Sequence, residues 1–446
     1  MKKSEESSSE GIDPYDEEDL EKIRSSSESP SSLNSSIRKS PNLFQQTYPG
    51  FDYSRDFQTD DYRTEIPIIV KEIREKNLPF PLIRYIYSKE QVREAFEALK
   101  VYKPNLIERS HHELKGHSGS WWLPSLFRGR AVQFVTKKND WWKIDMAVDY
   151  FTEYERIRAR KEYDNSMEDD WYNDEQLEKA ILNCVSKGTV NAENLREAMF
   201  YVGRELTLFR VSKTKAFVDL IFEKELPVKG KRWLDMSAGW GDRVYTACAL
   251  EMNYLGFDPN TFLKQGHEEL IGMFGNGKQR IIYEPFEKSE KIVEEDVKRF
   301  GLFDLALTSP PFYIIERYNG ENQSVDSYPE FEDWMVKFLF KSLSIIWNNL
   351  KEGGYLAINI ANIRNTDMVG PMQLFIEDFL PGSSWEGIIT FSGRGTQSNP
   401  GAIYIWKKVA FGKPMIRWNP IIKRSLRELF PKLHRIWIEF SKDVKK

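Results

Sequence analysis

Leu234-Asp235-Met236-Ser237-Ala238-Gly239-Trp240-Gly241-Asp242-Arg243 is the stretch whose reading decides the fold. It closes an apolar run, 232–236, that reads as a strand, and two glycines follow at once. Gly239 and Gly241 let the backbone turn tightly and approach a ligand that a Cβ would hold off. The helix expected after them offers unpaired N–H groups beside that ligand. About twenty residues on, a second run, 254–258, ends on Asp258, where a carboxylate can accept both hydroxyl protons of a ribose. A lone Gly-x-Gly also occurs in ordinary tight βα turns, and a dinucleotide fingerprint needs a third glycine that is absent here. Glycine loop and acid within one βαβ unit argue more specifically for an adenosyl-bearing ligand. Its candidate contacts are Asp235, Ser237, Ala238, Gly239, Gly241 and Asp258.

Working outward, short apolar runs alternate with helical segments from Lys231 onward, the pattern of a doubly wound α/β sheet. Seven strands are expected, at 232–236, 254–258, 280–284, 303–308, 355–360, 385–391 and 402–406. The last two are joined by a loop rich in Gly, Ser and Asn and should pair antiparallel. Between the fourth and fifth, Phe331, Trp334, Met335, Phe338 and Leu339 recur at helical spacing, and Gly353-Gly354 is read as that helix's end. The third strand runs into Tyr283-Glu284-Pro285-Phe286-Glu287, where Phe286 is the candidate to hold an adenine. Arg210 and Lys213, upstream of the first strand, are candidates for an anionic end of the ligand; equally, they are solvated charges at a helix start.

The rest of the chain divides by composition. Residues 1–58 are acidic and serine-rich and read as a disordered tail. Helical patterns at 66–78, 88–100, 145–161, 174–186 and 191–208 make a mainly helical N-terminal domain, 60–205. The sheet domain spans 206–410, and 411–446 is a basic amphipathic tail. The first 60 residues carry 7 basic and 13 acidic side chains, whereas 407–446 carry 12 and 3, so an acidic head and a basic tail flank a near-neutral body. No run of apolar residues is long enough to span a bilayer, and no apolar leader follows Met1, so a cytoplasmic or nuclear setting is expected. Two cysteines, Cys184 and Cys248, and five histidines show no metal-ligand spacing, and no metal is expected.

The fourth strand runs through Thr308, a further cofactor-side candidate, into Ser309-Pro310-Pro311-Phe312. Two prolines at a strand end fix the backbone and keep its carbonyls out of a helix. Methylating an amino nitrogen conjugated to a ring needs such fixed acceptors, because hydrogen bonds from the NH₂ help localise its lone pair. Ser309 Oγ and the Pro310 carbonyl are the candidate acceptors, and Phe312 is the candidate to stack on a flipped-out base. Taken alone, the tetrapeptide would be a rigid turn packed by an aromatic.

Together the two motifs resemble those of the DNA amino-methyltransferases, whose signature after the fourth strand is Asp/Asn/Ser-Pro-Pro-aromatic. The chain also resembles uncharacterised methyltransferases of large DNA viruses and protists that share Ser-Ala-Gly-Trp-Gly-Asp-Arg and Thr-Ser-Pro-Pro-Phe. The resemblance covers residues 190–408. It implies a class I, Rossmann-like methyltransferase sheet of seven strands, S-adenosyl-L-methionine as cofactor, and transfer to an exocyclic amino nitrogen, cytosine N4 or adenine N6. Ser309 leans towards cytosine. No target-recognition domain follows the last strand, so RNA stands beside DNA as the nucleic-acid partner. A protein amide N-methyltransferase and a non-catalytic scaffold that binds nucleic acid are the alternatives. Arg317, Tyr318, Asn319 and Gln323, the hairpin tip 393–399, and Trp121, Trp122, Trp141 and Trp142 with Lys137, Lys138 and Lys143 are candidate substrate contacts. For each of these, surface or core packing is the competing expectation.

Overall fold

Nine strands form the main sheet: β1 (Asn105–Glu108), β2 (Val132–Val135), β4 (Arg232–Asp235), β5 (Asn253–Phe257), β6 (Gln279–Ile282), β7 (Phe303–Thr308), β9 (Leu350–Asn359), β10 (Ser383–Phe391) and β11 (Gly401–Lys408). Two short strands, β3 (Arg160–Lys161) and β8 (Glu316–Arg317), make a separate antiparallel ribbon. This is a computed structural model; it describes residues 64–108, 127–128, 132–135, 144–161, 164–186, 190–203, 206, 208–363, 366–391, 401–410, 412–417 and 424–443. The tail 1–58, the four tryptophans at 121, 122, 141 and 142 with their lysines, and the hairpin tip 393–399 lie outside these residues.

The strand order is β1-β2-β10-β11-β9-β7-β4-β5-β6. From β10 to β6 it is the expected seven-stranded, Rossmann-like sheet, with β11 antiparallel to both neighbours. β4, β5, β6, β7 and β9 run parallel. All residues of β4 and β7 are buried, as strands covered on both faces must be, which is why they read as apolar runs. The order reverses between β4 and β7, and in such sheets the crevice at that switch point, outside the carboxyl ends of the strands, is where ligands bind.

Two expectations change. Residues 60–205 are not walled off from the sheet, because β2 pairs parallel with β10 and brings β1 with it; all described residues belong to one unit, Pro49–Lys446. Neither strand was legible, being four residues long amid a stretch without periodicity. The helix before β9 ends at Asn349 rather than at the glycine pair, and includes a π-helical stretch, Trp334–Phe340. Gly353 (φ +82°) and Gly354 lie within β9, where the register against β7 jumps from Phe303↔Leu350 to Leu305↔Tyr355. A Cβ at Gly354 would stand 2.9 Å from the Lys351 carbonyl, so the pair makes a bulge and not a helix cap.

Helices cover both faces. One face packs α1 (Lys89–Val101), α3 (Val211–Ile221), α4 (Asp242–Ala249) and α5 (Lys264–Phe274) around Trp233 and Tyr245. The other packs α6 (Lys341–Asn349), α7 (Val369–Phe379) and the C-terminal α8 (Pro431–Asp443) around Trp334, Trp347 and Trp406. The basic tail therefore docks: Leu433 is buried, and Trp437 sits 4.8 Å from the Phe375 ring, edge to face. Between β2 and β4 lies α2 (Asp149–Arg158), whose Asp149 and Glu153 meet Arg156 and Arg196 in a buried ionic cluster. That helix reaches the glycine loop.

Candidate active site

Asp235 ends β4 with no exposed surface. One of its oxygens accepts from Arg243 Nε (2.6 Å) and Tyr254 Oη (2.6 Å), the other from Thr308 Oγ1 (2.8 Å) and the Ser237 amide (3.2 Å). A carboxylate with four donors is saturated, so Asp235 positions the loop and presents nothing to a ligand. Arg243 is clamped by Asp235 and Asp242 and also donates to the Ser237 carbonyl. Burial pushes Asp242 up to about 7.

The loop itself turns through two left-handed glycines, Gly239 (φ +58°) and Gly241 (φ +99°), the latter capping α4. Three groups fix its carbonyls and amides. Ala238 N–H donates to the Phe257 carbonyl (2.7 Å). Buried His267 places Nε2 2.9 Å from the Gly239 carbonyl, and burial pulls its pKa down to about 4, so the ring is neutral at ordinary pH and donates through Nε2. Thr152 Oγ1, from α2, donates to the Trp240 carbonyl (2.8 Å). A Cβ at Gly266 would run into the Phe151 carbonyl, which is how α5 lets α2 come so close.

Asp258 faces the cavity. Its oxygens accept from Gly239 N–H (2.8 Å) and Asn260 N–H (3.0 Å), one bond each, so acceptor capacity remains on both. Burial raises its pKa to about 6 despite those two hydrogen bonds. Ser237 Oγ donates to the Ser309 carbonyl (2.8 Å), tying the glycine loop to the tetrapeptide that follows β7. The register Thr308↔Ile358 sets Asn359 beside Ser309, and Asn359 Nδ2 donates to Ser309 Oγ (3.3 Å).

These groups surround a cavity of about 100 Å³. Ser237, Gly239, Asp258, Ser309 and Pro311 line it, as does Gln323 from the loop after the tetrapeptide. Asp235, Ala238, Gly241, Phe286, Thr308, Pro310 and Phe312 do not. Asp235 and Thr308 bond to each other beneath the floor. Phe286 is buried against Phe257 (5.0 Å, edge to face), because the short turn after β6 folds it into the core. Phe312 packs against the core around Trp334, Trp347 and Trp406. Arg210 and Lys213 are also absent from the lining; Lys213 is buried, and burial, helped by Arg210, pulls its pKa down to about 7.

The sequence reading missed Trp240, Asn260, Leu263, Tyr313 and Glu316, all of which line the cavity. Asp258-Pro259-Asn260 carried a usable signal, since an Asn here caps the next turn by accepting from Phe262 N–H. Tyr313 holds φ +46° and donates through its hydroxyl to the Pro329 carbonyl. A non-glycine residue held there marks stored strain of the kind that gathers at functional sites. Trp240 and Tyr318 meet edge to face at 5.7 Å, and Tyr318 Oη donates to Glu316, whose carboxyl is raised chiefly by burial.

No protein-family model matches the sequence, and no curated protein does. Among solved structures the chain is similar to an rRNA methylase from Streptococcus thermophilus (TM-score 0.31, 13% identity, 46% of this chain and 100% of that one). It is also similar to TrmN from Thermus thermophilus (TM-score 0.30, 15% identity, 46% of this chain and 56% of that one). A third is the N-methyltransferase NodS from Bradyrhizobium japonicum (TM-score 0.31, 10% identity, 44% of this chain and 95% of that one). At this overlap the likenesses decide nothing about activity; the fold rests on strand order. The chain spans about half the length of TrmN.

Proposed function

We propose that the chain is an S-adenosyl-L-methionine-dependent methyltransferase acting on an exocyclic amino nitrogen of a nucleic-acid base. The observation that carries the reading is the bond from Ser237 Oγ to the Ser309 carbonyl (2.8 Å), which joins a ligand-binding glycine loop to a Ser-Pro-Pro tetrapeptide at one cavity. The residues fit the cofactor: two left-handed glycines open the loop, and Asp258 keeps acceptor sites for ribose hydroxyls. Pro259, Asn260 and Leu263 form the neighbouring wall for the adenine. When bound, S-adenosyl-L-methionine supplies an electrophilic methyl group on a sulfonium.

The chain's own residues orient the acceptor. Ser309 Oγ takes one hydrogen bond from Asn359 and has a second lone pair for the substrate NH₂. The two prolines hold Ser309 and the Pro310 carbonyl in place without help from a helix. As the nitrogen gains the methyl group it gains positive charge, and a fixed acceptor on its N–H is then worth more than in the ground state. Tyr313, Trp240 and Tyr318 supply aromatic wall in place of Phe312. The test is labelled methyl transfer from S-adenosyl-L-methionine to DNA, RNA and protein in parallel, followed by nucleoside analysis. Label in N4-methylcytosine or N6-methyladenine supports the reading. Label confined to protein moves it to amide methylation, and no label with retained cofactor binding leaves a scaffold.

A further inference from the structure

Among the described residues, the cavity's charged lining is Asp258, Glu316 and Glu321, with no Lys, Arg or His. Such a lining repels phosphate. A nucleotide's base would meet this lining more favourably than its phosphate, which asks for cations outside the cavity.

The ribbon of β3 and β8 carries three, Arg160, Lys161 and Arg317. Glu316 of β8 lines the cavity, and successive strand residues point to opposite sides, so Arg317 points away from it. In the antiparallel register Arg160 lies directly opposite Arg317, and Lys161 opposite Glu316. Arg160 and Lys161 are both exposed and form no ion pair among the described residues. Lys161 is near enough to favour the Glu316 carboxylate against the burial that raises its pKa. Arg317 reaches Asp326 (2.9 Å), but both side chains are about half exposed (45% and 50%), and such surface pairs hold weakly. Two like charges facing each other across a strand pair are locally unfavourable. A sequence that breaks a local rule beside a cavity commonly does so for function.

The ribbon is also built into the site. Asn319 Nδ2 donates to the Glu155 carbonyl of α2 (3.3 Å), and Gly320, with φ +119°, brings the loop against Asn260. The loop that follows β8 is therefore fixed between α2 and the cavity wall.

We infer that Arg160 and Arg317 on the outer face of the ribbon, with Lys161 at its Glu316 edge, bind phosphodiester groups beside the cavity and anchor a nucleic-acid strand while one base enters. The inference rests on the nucleic-acid reading above. Its test uses the full chain, titrated with single-stranded DNA and RNA oligonucleotides of one sequence across a salt series, beside calorimetry with S-adenosyl-L-methionine. Each phosphate contact on a single strand contributes about 0.7 to the slope of log affinity against log salt. Arg160→Gln with Lys161→Gln should flatten that slope by about 1.4, and adding Arg317→Gln by about 2 in all. Cofactor affinity should stay unchanged, which also reports an intact fold. A variant with the parent's slope and affinity overturns the inference and leaves the proposed function standing. A parent that binds the cofactor but neither oligonucleotide overturns both.

Discussion

On the proposed reading, cofactor affinity turns on Asp258. Asp258→Ala should weaken S-adenosyl-L-methionine binding by about 1–3 kcal/mol, the cost of leaving polar groups without partners. Because burial raises its pKa to about 6, the parent should show a matching pH dependence. Above 6 the group is a carboxylate able to accept from ribose hydroxyls; below 6 it is protonated and loses acceptor sites. Affinity should therefore fall as pH drops through 6 in the parent and stay flat there in Asp258→Asn, read by calorimetry. Asp258 and Ser309 were singled out by two motifs read together, and both line the cavity. The motifs did not separate Asp235 from Asp258: both are acids at strand ends, and only the reach of Arg243, Tyr254 and Thr308 shows which one is consumed by structure.

At the scale of elements, strong apolar runs announced all seven strands of the core sheet to within a few residues, because strands covered on both faces need them. The ribbon β3–β8 and the pair β1–β2 were silent, being too short for a period to register. The C-terminal helix α8 was readable as amphipathic but not as docked, since a basic face suits either fate. Docking gives a direct expectation. Trp437 packs against Phe340, Phe375 and Phe379, so Trp437→Ala should destabilise the fold by about 2–3 kcal/mol, below the full cost of a core tryptophan because it is half-buried. Urea unfolding measures this. A midpoint equal to the parent's would mean that α8 does not dock in solution.

Across the whole molecule, the helical N-terminal part and the sheet share one site. Thr152 holds the Trp240 carbonyl, β3 pairs with β8, and Glu155 receives Asn319. A chain beginning at residue 206 keeps both motifs yet loses all three supports. It should bind S-adenosyl-L-methionine at least tenfold more weakly than the full chain, if it folds, and melt at lower temperature. Thr152→Val separates these effects: it leaves a buried carbonyl without its donor, at about 1–3 kcal/mol, with every strand retained. Sequence could not reveal this dependence, because residue 152 lies far from the glycine loop along the chain and carries no motif.

The central claim is that one cavity has a cofactor side ending at Asp258 and a substrate side beginning at Ser309. Ser309→Ala, measured by single-turnover methyl transfer beside calorimetry, tests it most directly. The prediction is a turnover roughly ten- to hundredfold lower, the worth of a hydrogen bond to a group gaining charge, with S-adenosyl-L-methionine affinity kept. Full turnover in this variant, or a loss of cofactor affinity in step with activity, would contradict the account.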